Sequence, residues 1–416
     1  MKIAVFHFGF FYSGGGEKLV IEQAEGLRQR GHEVMCFAPV VDSGHCFPEL
    51  LNNFSVELVG VKIPSWWPDW QMLQVLVNCF LFPLFFNRFK DFDVVLAANQ
   101  PSVFFGWCLN RRWGIPYVAY LAQPTRHLHP RLIDLATDFG LVKGWGLAHF
   151  LAKLFRPFIN RLDQTSIKEA SEMLTNGDYI GAVLENTYQR GRINCPAGAH
   201  PSGRDVICRK GRYRPRLKDE NAFVTNPYLL ITNRHFPQKR FDFGLQALKL
   251  LSCDFPNLGL IITGEATSYT RELRRLENSL GLNGRVKFTG LVSQDCLLNL
   301  YQNGLVYLYT APQEDFGMGV VEAMMAGTPV VAWNEGGPSC TVINGLTGLL
   351  ARPWRVSDFA SKVKDILNAS EERYNQWCFD ARKHAVKYYS YQRHYEIVEN
   401  TLLKAAKRNI SYSPPK

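Results

Sequence analysis

Metal-binding and disulfide patterns are missing from this sequence. Its ten cysteines are scattered over 416 residues, without a Cys-x-x-Cys pair or the spacing of metal ligands. The chain does not open with the basic segment, apolar run and cleavage site of a secretory leader. We therefore expect reduced thiols, many of them small core residues, in a cytoplasmic protein.

Uninterrupted apolar runs long enough to cross a bilayer are also missing. The most apolar stretch, 72–86, is broken by Gln74, Asn78 and Pro83 and falls short of the roughly 20 residues that a spanning helix needs. Tryptophans precede it at positions 66, 67 and 70. Two interpretations stay open, a packed core helix or a helix lying in a membrane interface. Segment 144–161 mixes aromatic and basic residues and is a second candidate surface.

Composition and charge are those of a globular protein that prefers anionic partners. Hydrophobic residues make up 46% and charged residues 20%, and 416 residues exceed what one core usually organises, so two domains are expected. The 47 basic and 37 acidic side chains give a net charge of +10, which favours nucleic acid, a sugar nucleotide or an anionic lipid. The basic segment Arg204 to Lys218 is either a solvated loop or a contact to an anionic membrane or an acceptor phosphate.

Alternating strand and helix patterns predict an α/β fold. Residues 2–8 form a continuous apolar run typical of a central parallel strand, 17–30 has helical periodicity, and 34–38 has the character of the next strand. The alternation resumes in the second half, with predicted strands at 228–232, 259–263, 286–289, 306–309 and 330–332. Each half is therefore expected to be a doubly wound, Rossmann-like parallel sheet.

Glycines occupy the first strand-to-helix turn. Gly14, Gly15 and Gly16 let the backbone approach a phosphate, which the positive end of the following helix also attracts. The pattern is not Gly-x-Gly-x-x-Gly, and a glycine-rich turn alone is most often only a turn. It marks a candidate phosphate site that needs other support.

Two basic residues follow the opening strand of the second half. Arg234 and Lys239 come just after the predicted strand 228–232, where open α/β sheets bind ligands. Arginine is a bidentate donor and lysine a mobile point charge. The pair suits a diphosphate, although two solvated surface residues would show the same pattern.

Two glutamates flank a predicted helix start. Glu314 precedes a glycine-containing loop, and Glu322 lies in the breaker-free segment 320–326, which predicts a helix. The backbone N–H groups of 316–319 would lie at the helix N-terminus, where they bind anions or polyhydroxylated ligands. The spacing alone would equally suit two surface acids on a solvated helix.

These strings together resemble the retaining glycosyltransferases of family 4. The likeness rests on Glu-x7-Glu with Phe-Gly and Gly-Thr-Pro-Val-Val within 313–333, on Gly-Gly-x-Glu at 14–17, and on Arg-x4-Lys at 234–239. The family has the GT-B architecture, two Rossmann-like domains facing across a cleft. Residues 42–47 are similar to a stretch of the mannosyltransferases that extend lipid-linked oligosaccharides.

The resemblance implies a role for each candidate. Glu314, Arg234 and Lys239 would be catalytic, with the two cations on the donor diphosphate and Glu314 beside the donor sugar, while Glu322 would bind the ribose hydroxyls. The other donor-binding candidates are Gly14, Gly15, Gly16, Leu291, Phe316, Gly317, Met318 and Gly319. The reaction would transfer a glycosyl group from a nucleotide-sugar to a hydroxyl of a glycan or lipid-linked acceptor, with retention and without a cofactor or metal.

The sequence departs from the family at two positions. Ala122 stands where many relatives carry histidine, and Cys340 stands where relatives often carry glutamate. Arg126 and His127 are the acceptor-side candidates. A catalytically weak GT-B protein that binds a sugar nucleotide or scaffolds a partner therefore stays open, as does a phosphorylase or sucrose-synthase-like enzyme. Nucleic-acid binding has only the net charge in its favour, so no specific nucleic-acid partner is expected.

The resemblance also implies a domain order. Residues 1–200 would form the acceptor domain, 201–226 a basic linker and 227–389 the donor domain, with a C-terminal helix at about 390–408 packing back on the first domain. The protein would be cytoplasmic, with a peripheral position on the cytoplasmic face of a membrane as a further expectation.

Overall fold

The structure is a computed structural model that describes residues 1–52, 54–67, 70–136, 146–200 and 227–412, with side chains to residue 408. It divides into two compact units, the first formed by Met1–Ala197 with Tyr391–Lys416 and the second by Gly198–Ser390. Each unit contains one parallel β-sheet. The predicted basic linker 201–226, with Arg204 to Lys218, lies outside the described residues.

The first unit has a seven-stranded sheet in the order β3-β2-β1-β4-β5-β6-β7. Its strands are β1 Lys2–His7, β2 Glu33–Ala38, β3 Val56–Leu58, β4 Val94–Ala98, β5 Tyr117–Leu121, β6 Glu172–Thr175 and β7 Ile193–Asn194. The central strands β1, β4 and β5 are buried along almost their whole length, because helices cover both faces of a parallel sheet. The strand order reverses between β1 and β4, which is where doubly wound folds place ligands.

Helices connect these strands, and an aromatic cluster fills one side of the sheet. The helices are α1 Gly15–Gln29, α2 Pro48–Leu51, α3 Trp70–Leu81, α4 Ser102–Trp113, α5 Leu132–Ala136, α6 Leu147–Leu154, α7 Arg156–Lys168 and α8 Asp178–Tyr188. A 3-10 helix, Phe82–Arg88, continues directly from α3. The ring of Phe6 has the rings of Phe37, Phe82, Phe89 and Phe105 within 6.1 Å, so β1 is held in the centre of this core.

The second unit has a six-stranded sheet in the order β10-β9-β8-β11-β12-β13. Its strands are β8 Tyr228–Thr232, β9 Gly259–Thr263, β10 Val286–Gly290, β11 Val306–Tyr309, β12 Val330–Trp333 and β13 Gly348–Ala351. Its helices are α9 Phe241–Leu251, α10 Tyr269–Ser279, α11 Gln294–Asn303, α12 Met318–Met325, α13 Gly336–Thr341, α14 Val356–Asn368 and α15 Glu371–Tyr389. The order reverses between β8 and β11, so this unit has its own switch point.

The last helix, α16 (Tyr391–Tyr412), belongs to the first unit and packs on α1. The Tyr395 ring lies against Gly26, where a Cβ would meet ring carbons at 2.5 Å. The Tyr395 hydroxyl donates to Glu22 at 2.9 Å, and Arg30 pairs with Glu399 at 2.6 Å. A small residue on α1 and these polar contacts therefore hold the C-terminal helix on the first unit.

The predicted α/β class is confirmed, and the differences are local. Helix α12 begins at Met318 rather than at residue 320, because Gly317 takes a left-handed conformation (φ +86°) and the next two residues already form the first turn. Residues 336–338 open the short helix α13. The apolar stretch 72–86 is divided between α3 and the 3-10 helix, with Pro83 near the start of the latter, where its missing N–H costs nothing.

Candidate functional site

The candidate donor residues of the second unit gather at the carboxyl ends of β8 and β11. Arg234 and Lys239 follow β8, Glu314 follows β11, and Glu322 lies on α12. Because β8 and β11 are neighbours at the switch point, these side chains share one edge of the sheet. The fold thus brings together residues that the sequence separates widely.

Lys239 and Glu314 form an ion pair. The Lys239 Nζ donates to Glu314 Oε2 at 2.6 Å, and both side chains are mostly buried. The Tyr309 hydroxyl also bonds the Glu314 carboxylate, and burial, followed by the negative charge of Glu314, raises the pKa of Tyr309 well above its usual value. Glu314 is therefore held by a cation and a neutral phenol.

Arg234 is held by a different acid. Its Nε lies 2.8 Å from Glu265 Oε2, and its guanidinium lies 4.6 Å from the centre of the Phe236 ring. Glu265 comes just after β9, the strand next to β8. The two cations thus lie near one sheet edge with separate acidic partners, so each remains oriented while the other contacts a ligand.

A network of hydrogen-bonded hydroxyl groups holds the Glu322 carboxylate in position. The Tyr301 hydroxyl donates to Glu322 Oε2 at 2.9 Å and lies 2.8 Å from Thr232 Oγ1, which lies 2.8 Å from the Tyr307 hydroxyl. Burial raises the pKa of Tyr301 well above its usual value, with the Glu322 charge as a second cause, so the phenol stays a donor. At Gly319, a Cβ would collide with Tyr307, so glycine is needed there.

The first residues of α13 contact the backbone of Glu314. The Gly337 N–H donates to the Glu314 carbonyl oxygen at 2.7 Å. Gly336 has φ +67°, and a Cβ on it would lie 2.6 Å from that same oxygen. The two glycines therefore permit a close approach that fixes the loop carrying Glu314.

Glu335 is a site residue that the sequence analysis missed. Its carboxylate accepts a hydrogen bond from the Gln313 backbone, and Gln313 has a left-handed φ of +49°. Burial raises the pKa of Glu335, and the Gln313 bond opposes that effect. Glu265 was missed as well. Both acids follow the end of a strand at the ligand-binding edge of the sheet, and that position was the signal available in the sequence.

The remaining donor candidates in the second unit contribute backbone or lie farther along the sheet edge. Phe316 is buried and packs against Tyr389, so only its backbone can face a ligand. Gly317 and Met318 form the cap and first residue of α12. Leu291 follows the edge strand β10 and is 63% exposed. It is at the same end of the sheet as the glutamates but not next to them.

The glycine turn of the first unit lies at that unit's switch point. Gly14 caps α1 in an extended conformation, and Gly15 and Gly16 form the first helical turn after β1. The side chain of Glu17 is buried directly over Gly14, where a Cβ would collide with its carboxylate. Gly16 has open space where a Cβ would lie, so its backbone can approach a ligand, whereas the Glu17 carboxylate covers Gly14.

Of the two acceptor-side candidates, Arg126 is buried and His127 is half-buried. The Arg126 side chain is 3% exposed, lies 3.5 Å from Asp134, and donates from Nε to Gln123 Oε1 at 3.1 Å. Burial, followed by the charge of Arg156, lowers the pKa of His127 to about 4. Arg126 is thus engaged within the protein, and His127 is neutral at pH 7.

Helix α3 buries two polar residues alongside apolar Met72 and exposes Phe80 near its end. Gln74 and Asn78 are buried, and they accept from the backbone N–H groups of Ile63 at 2.6 Å and Val61 at 2.8 Å. By contrast, Phe80 is 83% exposed and Leu84 is 78% exposed. The stretch combines both interpretations, because Met72 and Phe82 are buried in cores whereas Phe80 and Leu84 are exposed.

The stretch is also longer than the sequence suggested. The helical segment Trp70–Arg88 has 19 residues, a mean hydropathy of 1.3 in its most apolar window and 22% of that window buried. By length and composition it could cross a membrane, which corrects the expectation that it is too short. The hydrogen bonds of Gln74 and Asn78 to residues 61–63 tie it to the globular unit.

A second set of exposed apolar residues lies beside α3. Helix α6 packs on α3 through Met72, Ala148 and Ala152. Outward-facing residues of α6 and the start of α7 are exposed: Leu147, Phe150, Leu154, Phe155 and Phe158. The basic residues of the predicted segment 144–161 accompany them, whereas its residues 144 and 145 lie outside the described part. The two candidate surfaces of the sequence are thus one continuous helical layer.

Among the described residues, neither a disulfide nor a cluster of metal ligands forms part of the candidate site. In the part of the chain that the structure describes, the cysteines are free, with Cys36, Cys46, Cys195 and Cys378 buried. Cys340 is exposed on α13, and Ala122 is partly exposed after β5, with its N–H bonded to Asn99 Oδ1 at 2.8 Å. Within the same described ranges, no group of three His, Cys, Asp or Glu side chains could hold a metal ion.

Comparison with known proteins finds matches in both halves. Residues 13–194 match the family model described as Glycosyltransferase Family 4, and residues 214–384 match the model described as Glycosyl transferases group 1. The chain is 26% identical to the human alpha-1,3/1,6-mannosyltransferase ALG2, over 82% of this chain and 81% of the relative. It is 25% identical to the protein of the same name from Candida glabrata, over 86% of this chain and 84% of the relative.

Solved structures share the fold. Anabaena Alr3699/HepE in complex with UDP and glucose aligns with a TM-score of 0.73 and 20% identity, covering 97% of this chain and 99% of that one. Sucrose-phosphate synthase from Thermosynechococcus elongatus aligns with a TM-score of 0.74 and 17% identity, covering 99% of this chain and 100% of that one. The common architecture is GT-B.

Proposed function

The chain belongs to the GT-B glycosyltransferases, with a family 4 domain followed by a group 1 domain, and on that premise we propose that it transfers a sugar from a nucleotide-sugar to a lipid-linked glycan with retention at the anomeric carbon. The names of the ALG2 relatives favour mannose as the sugar. In this proposal the second unit binds the donor and the first unit binds the acceptor.

The contact between Lys239 and Glu314 is the observation that carries the proposal. It places a mobile ammonium and a carboxylate at the ligand edge of the sheet, 2.6 Å apart. When a donor binds, Lys239 and Arg234 offset the negative charge that develops on the departing diphosphate. Glu314 then stabilises positive charge at the anomeric carbon. These cations and the amides of the α12 N-terminus do this without a metal or cofactor.

The hydroxyl network beneath Glu322 supports its proposed role. The Tyr301 hydroxyl donates a hydrogen bond of 2.9 Å to Glu322 Oε2, which fixes the orientation of the carboxylate. A carboxylate held in this way is suited to accept hydrogen bonds from two vicinal hydroxyls, such as those of a ribose. Glu322 and Lys239 therefore contribute donor affinity, through the ribose and the diphosphate, and Lys239 and Glu314 also stabilise the transition state.

The proposed lipid-linked acceptor is supported by the helical layer of the first unit. A soluble glycan would not require the exposed side chains of Phe80 on α3 and Leu84 on the 3-10 helix that follows it. Such a surface suits the interface of an anionic membrane, where apolar side chains enter the leaflet and basic ones meet headgroups. We place the enzyme on the cytoplasmic face, with no specific nucleic-acid partner.

A donor-dependent thermal shift tests the proposal. UDP-, GDP- and ADP-sugars are added to the wild type, Lys239→Ala and Glu322→Ala, because a ligand that binds only the folded state raises the melting temperature. Lys249→Ala, an exposed lysine on α9, is the control for loss of charge. One nucleotide should stabilise the wild type and the control but not the two site variants. If no nucleotide-sugar stabilises the wild type, the donor site is refuted.

A catalytically weak binding protein is the second candidate, favoured by Ala122 and Cys340, where the family resemblance implies a histidine and a glutamate. Turnover separates the two functions. With labelled donor and a membrane lipid extract, an enzyme transfers label to the lipid fraction, whereas a binding protein shows the thermal shift without transfer.

A further inference from the structure

The first unit contains a cavity that the proposed donor chemistry does not use. It has a volume of about 390 Å³ and lies between the segment before α5 and the first turn of α7. Its walls are Leu128, His129, Arg156, Pro157 and Asn160. One side is thus apolar, and the other carries a guanidinium, an imidazole and an amide.

Arg156 lies at this cavity and is hydrogen-bonded to a backbone carbonyl oxygen. Its Nη2 donates to the Leu128 carbonyl oxygen at 2.9 Å, which fixes the guanidinium against the cavity wall. Among the described residues, no carboxylate forms an ion pair with Arg156. A guanidinium with free donors in a concave site binds phosphate oxygens well.

His129 supplies a second donor group. Its Nε2 is buried without a hydrogen-bond partner, and the nearest acidic oxygen, Asp163 Oδ2, is 3.9 Å away, too far for a hydrogen bond. Asp163 accepts instead from Thr125 at 2.5 Å, and burial raises the pKa of this carboxyl. A buried ring nitrogen at a cavity wall lacks a partner that an oxygen-rich ligand could provide.

The surroundings favour an anion. His127 lies close enough to Arg156, His129 and His149 for their charges to lower its pKa to about 4, after the larger effect of burial. The positive charge of Arg156 thus acts on the imidazole of His127 and opposes its protonation. A bound anion would offset that charge.

An apolar surface starts at the edge of the same cavity. Phe155 and Phe158 flank Arg156 and Pro157 in the chain, and both are exposed. Leu154 and Phe150 on α6 continue this surface. A ligand whose phosphate enters the cavity could therefore lay an alkyl chain along these side chains, which removes apolar area from water on both sides.

We propose that this cavity binds the phosphate group of a lipid phosphate ester, with the lipid chain lying along Phe155 and Phe158. Arg156 contacts the phosphate oxygens, His129 Nε2 and the Asn160 amide complete the polar contacts, and Leu128 and Pro157 face the first carbons of the chain. The inference rests on the proposed function in one respect, because the lipid-linked acceptor of that reaction is the ligand that would carry such a phosphate.

Calorimetric titration of the full chain with a long-chain alkyl phosphate tests the inference, with inorganic phosphate and the matching alkanol as separate arms. We expect the alkyl phosphate to bind at least about tenfold more tightly than either, since both parts of the site contribute. Arg156→Gln should weaken it about tenfold, and Arg156→Lys should weaken it less. Arg161→Gln, with the same charge change on the exposed part of α7, should leave it unchanged.

Several outcomes would overturn this inference. If the alkanol binds as tightly as the alkyl phosphate, the phosphate group contributes nothing to the affinity. If inorganic phosphate binds as tightly, the lipid chain contributes nothing. Equal weakening by Arg156→Gln and Arg161→Gln would mean that only the overall positive charge matters. If Arg156→Gln does not fold, Asn160→Ala and Phe158→Ser test the two halves of the site instead, and no weakening by either would overturn it.

The donor-induced thermal shift keeps this inference separable from the proposed function. A wild type that responds to a nucleotide-sugar but does not bind the alkyl phosphate would overturn the lipid-phosphate site alone. A wild type that binds the alkyl phosphate but shows no response to any nucleotide-sugar would overturn the donor proposal. Arg156→Gln should keep the donor response, because Arg156 belongs to the other unit.

Discussion

Lys239 and Glu314 are 75 residues apart in the sequence and 2.6 Å apart in the second unit. Their meeting follows from strand order, because β8 and β11 are neighbours and each residue lies shortly after one of these strands. Both side chains are mostly buried, so the pair is less screened by solvent than a surface ion pair. A ligand phosphate can replace the carboxylate as the partner of Lys239 without leaving a buried cation unpaired.

Removing the Lys239 charge should affect turnover more than folding. We expect Lys239→Ala to lower kcat/KM by about 10²–10³-fold, since a positioned group that stabilises charge in the transition state is lost. Lys239→Arg should retain part of the activity. Steady-state kinetics with the donor identified by thermal shift measure the effect, and Lys249→Ala is the charge-matched control. Full turnover by a folded Lys239→Ala protein would contradict the assigned role.

Tyr301→Phe should weaken donor binding without removing a charge. The hydroxyl that orients Glu322 and contacts Thr232 is lost, which should lower stability by about 1 kcal/mol and weaken nucleotide affinity about fivefold. Tyr228→Phe is the matched control, because that buried hydroxyl donates to the Leu300 carbonyl, away from the carboxylate. Calorimetric nucleotide titration and denaturant unfolding give both values. Equal loss of affinity in the two variants would show that Tyr301 acts only through stability.

Gly336→Ala should lower both stability and donor binding. Gly336 has φ +67°, and a Cβ would lie 2.6 Å from the Glu314 carbonyl oxygen, so the alanine adds a collision to the backbone strain. Gly284→Ala has similar strain, with φ +79°, but meets no atom within 4 Å. We expect the Gly284 variant to lose about 1 kcal/mol and the Gly336 variant more. Similar melting temperatures and donor affinities in the Gly336 and Gly284 variants would mean that the loop carrying Glu314 shifts to accommodate the added Cβ without cost.

Acid should destabilise the first unit through His394. Burial lowers the pKa of this imidazole from 6.5 to about 4 in the folded protein, where it contacts Gln23 at 3.1 Å and Pro196 O at 2.8 Å. The unfolded state therefore binds more protons between pH 6.5 and 4, and the stabilisation present above pH 6.5 is lost as the pH falls through this window.

The slope of the unfolding free energy against pH tests the contribution of His394. Each such histidine contributes about 1.4 kcal/mol of lost unfolding free energy per pH unit. His7, His127 and His235 have similarly lowered pKa values of about 4, so the wild-type slope is a sum. Denaturant unfolding of His394→Gln should show a smaller slope than the wild type. An unchanged slope would mean that His394 is not protonated on unfolding in this window.

Exposed residues of α3 and its 3-10 extension should carry membrane binding. Phe80→Ser and Leu84→Ser remove apolar area that would enter a leaflet, so we expect the double variant to bind anionic vesicles at least about tenfold more weakly. Leu250→Ser, an exposed leucine on α9 of the second unit, is the control. Cosedimentation with anionic vesicles at low and high salt measures the binding of each variant. Binding that disappears in salt and is unaffected by the double variant would indicate electrostatic adsorption instead.

The sequence by itself determined the elements and the class of fold. Buried parallel strands are apolar runs between polar or glycine-containing turns, so Tyr228–Thr232, Gly259–Thr263 and Val306–Tyr309 were predictable to the residue. The family resemblance also came from local strings such as those around Glu314 and Lys239. Local order along the chain was enough for these features.

Tertiary structure alone decided which residues meet and which face outward. Glu265 and Tyr301 reach Arg234 and Glu322 because strand and helix packing brings distant segments together, and no local pattern encodes those distances. Gln74 and Asn78 looked like breaks in an apolar run. They are buried because the backbone of residues 61–63 gives them hydrogen bonds. No pattern within α3 contains that partner, and the same helix leaves Phe80 exposed near its end.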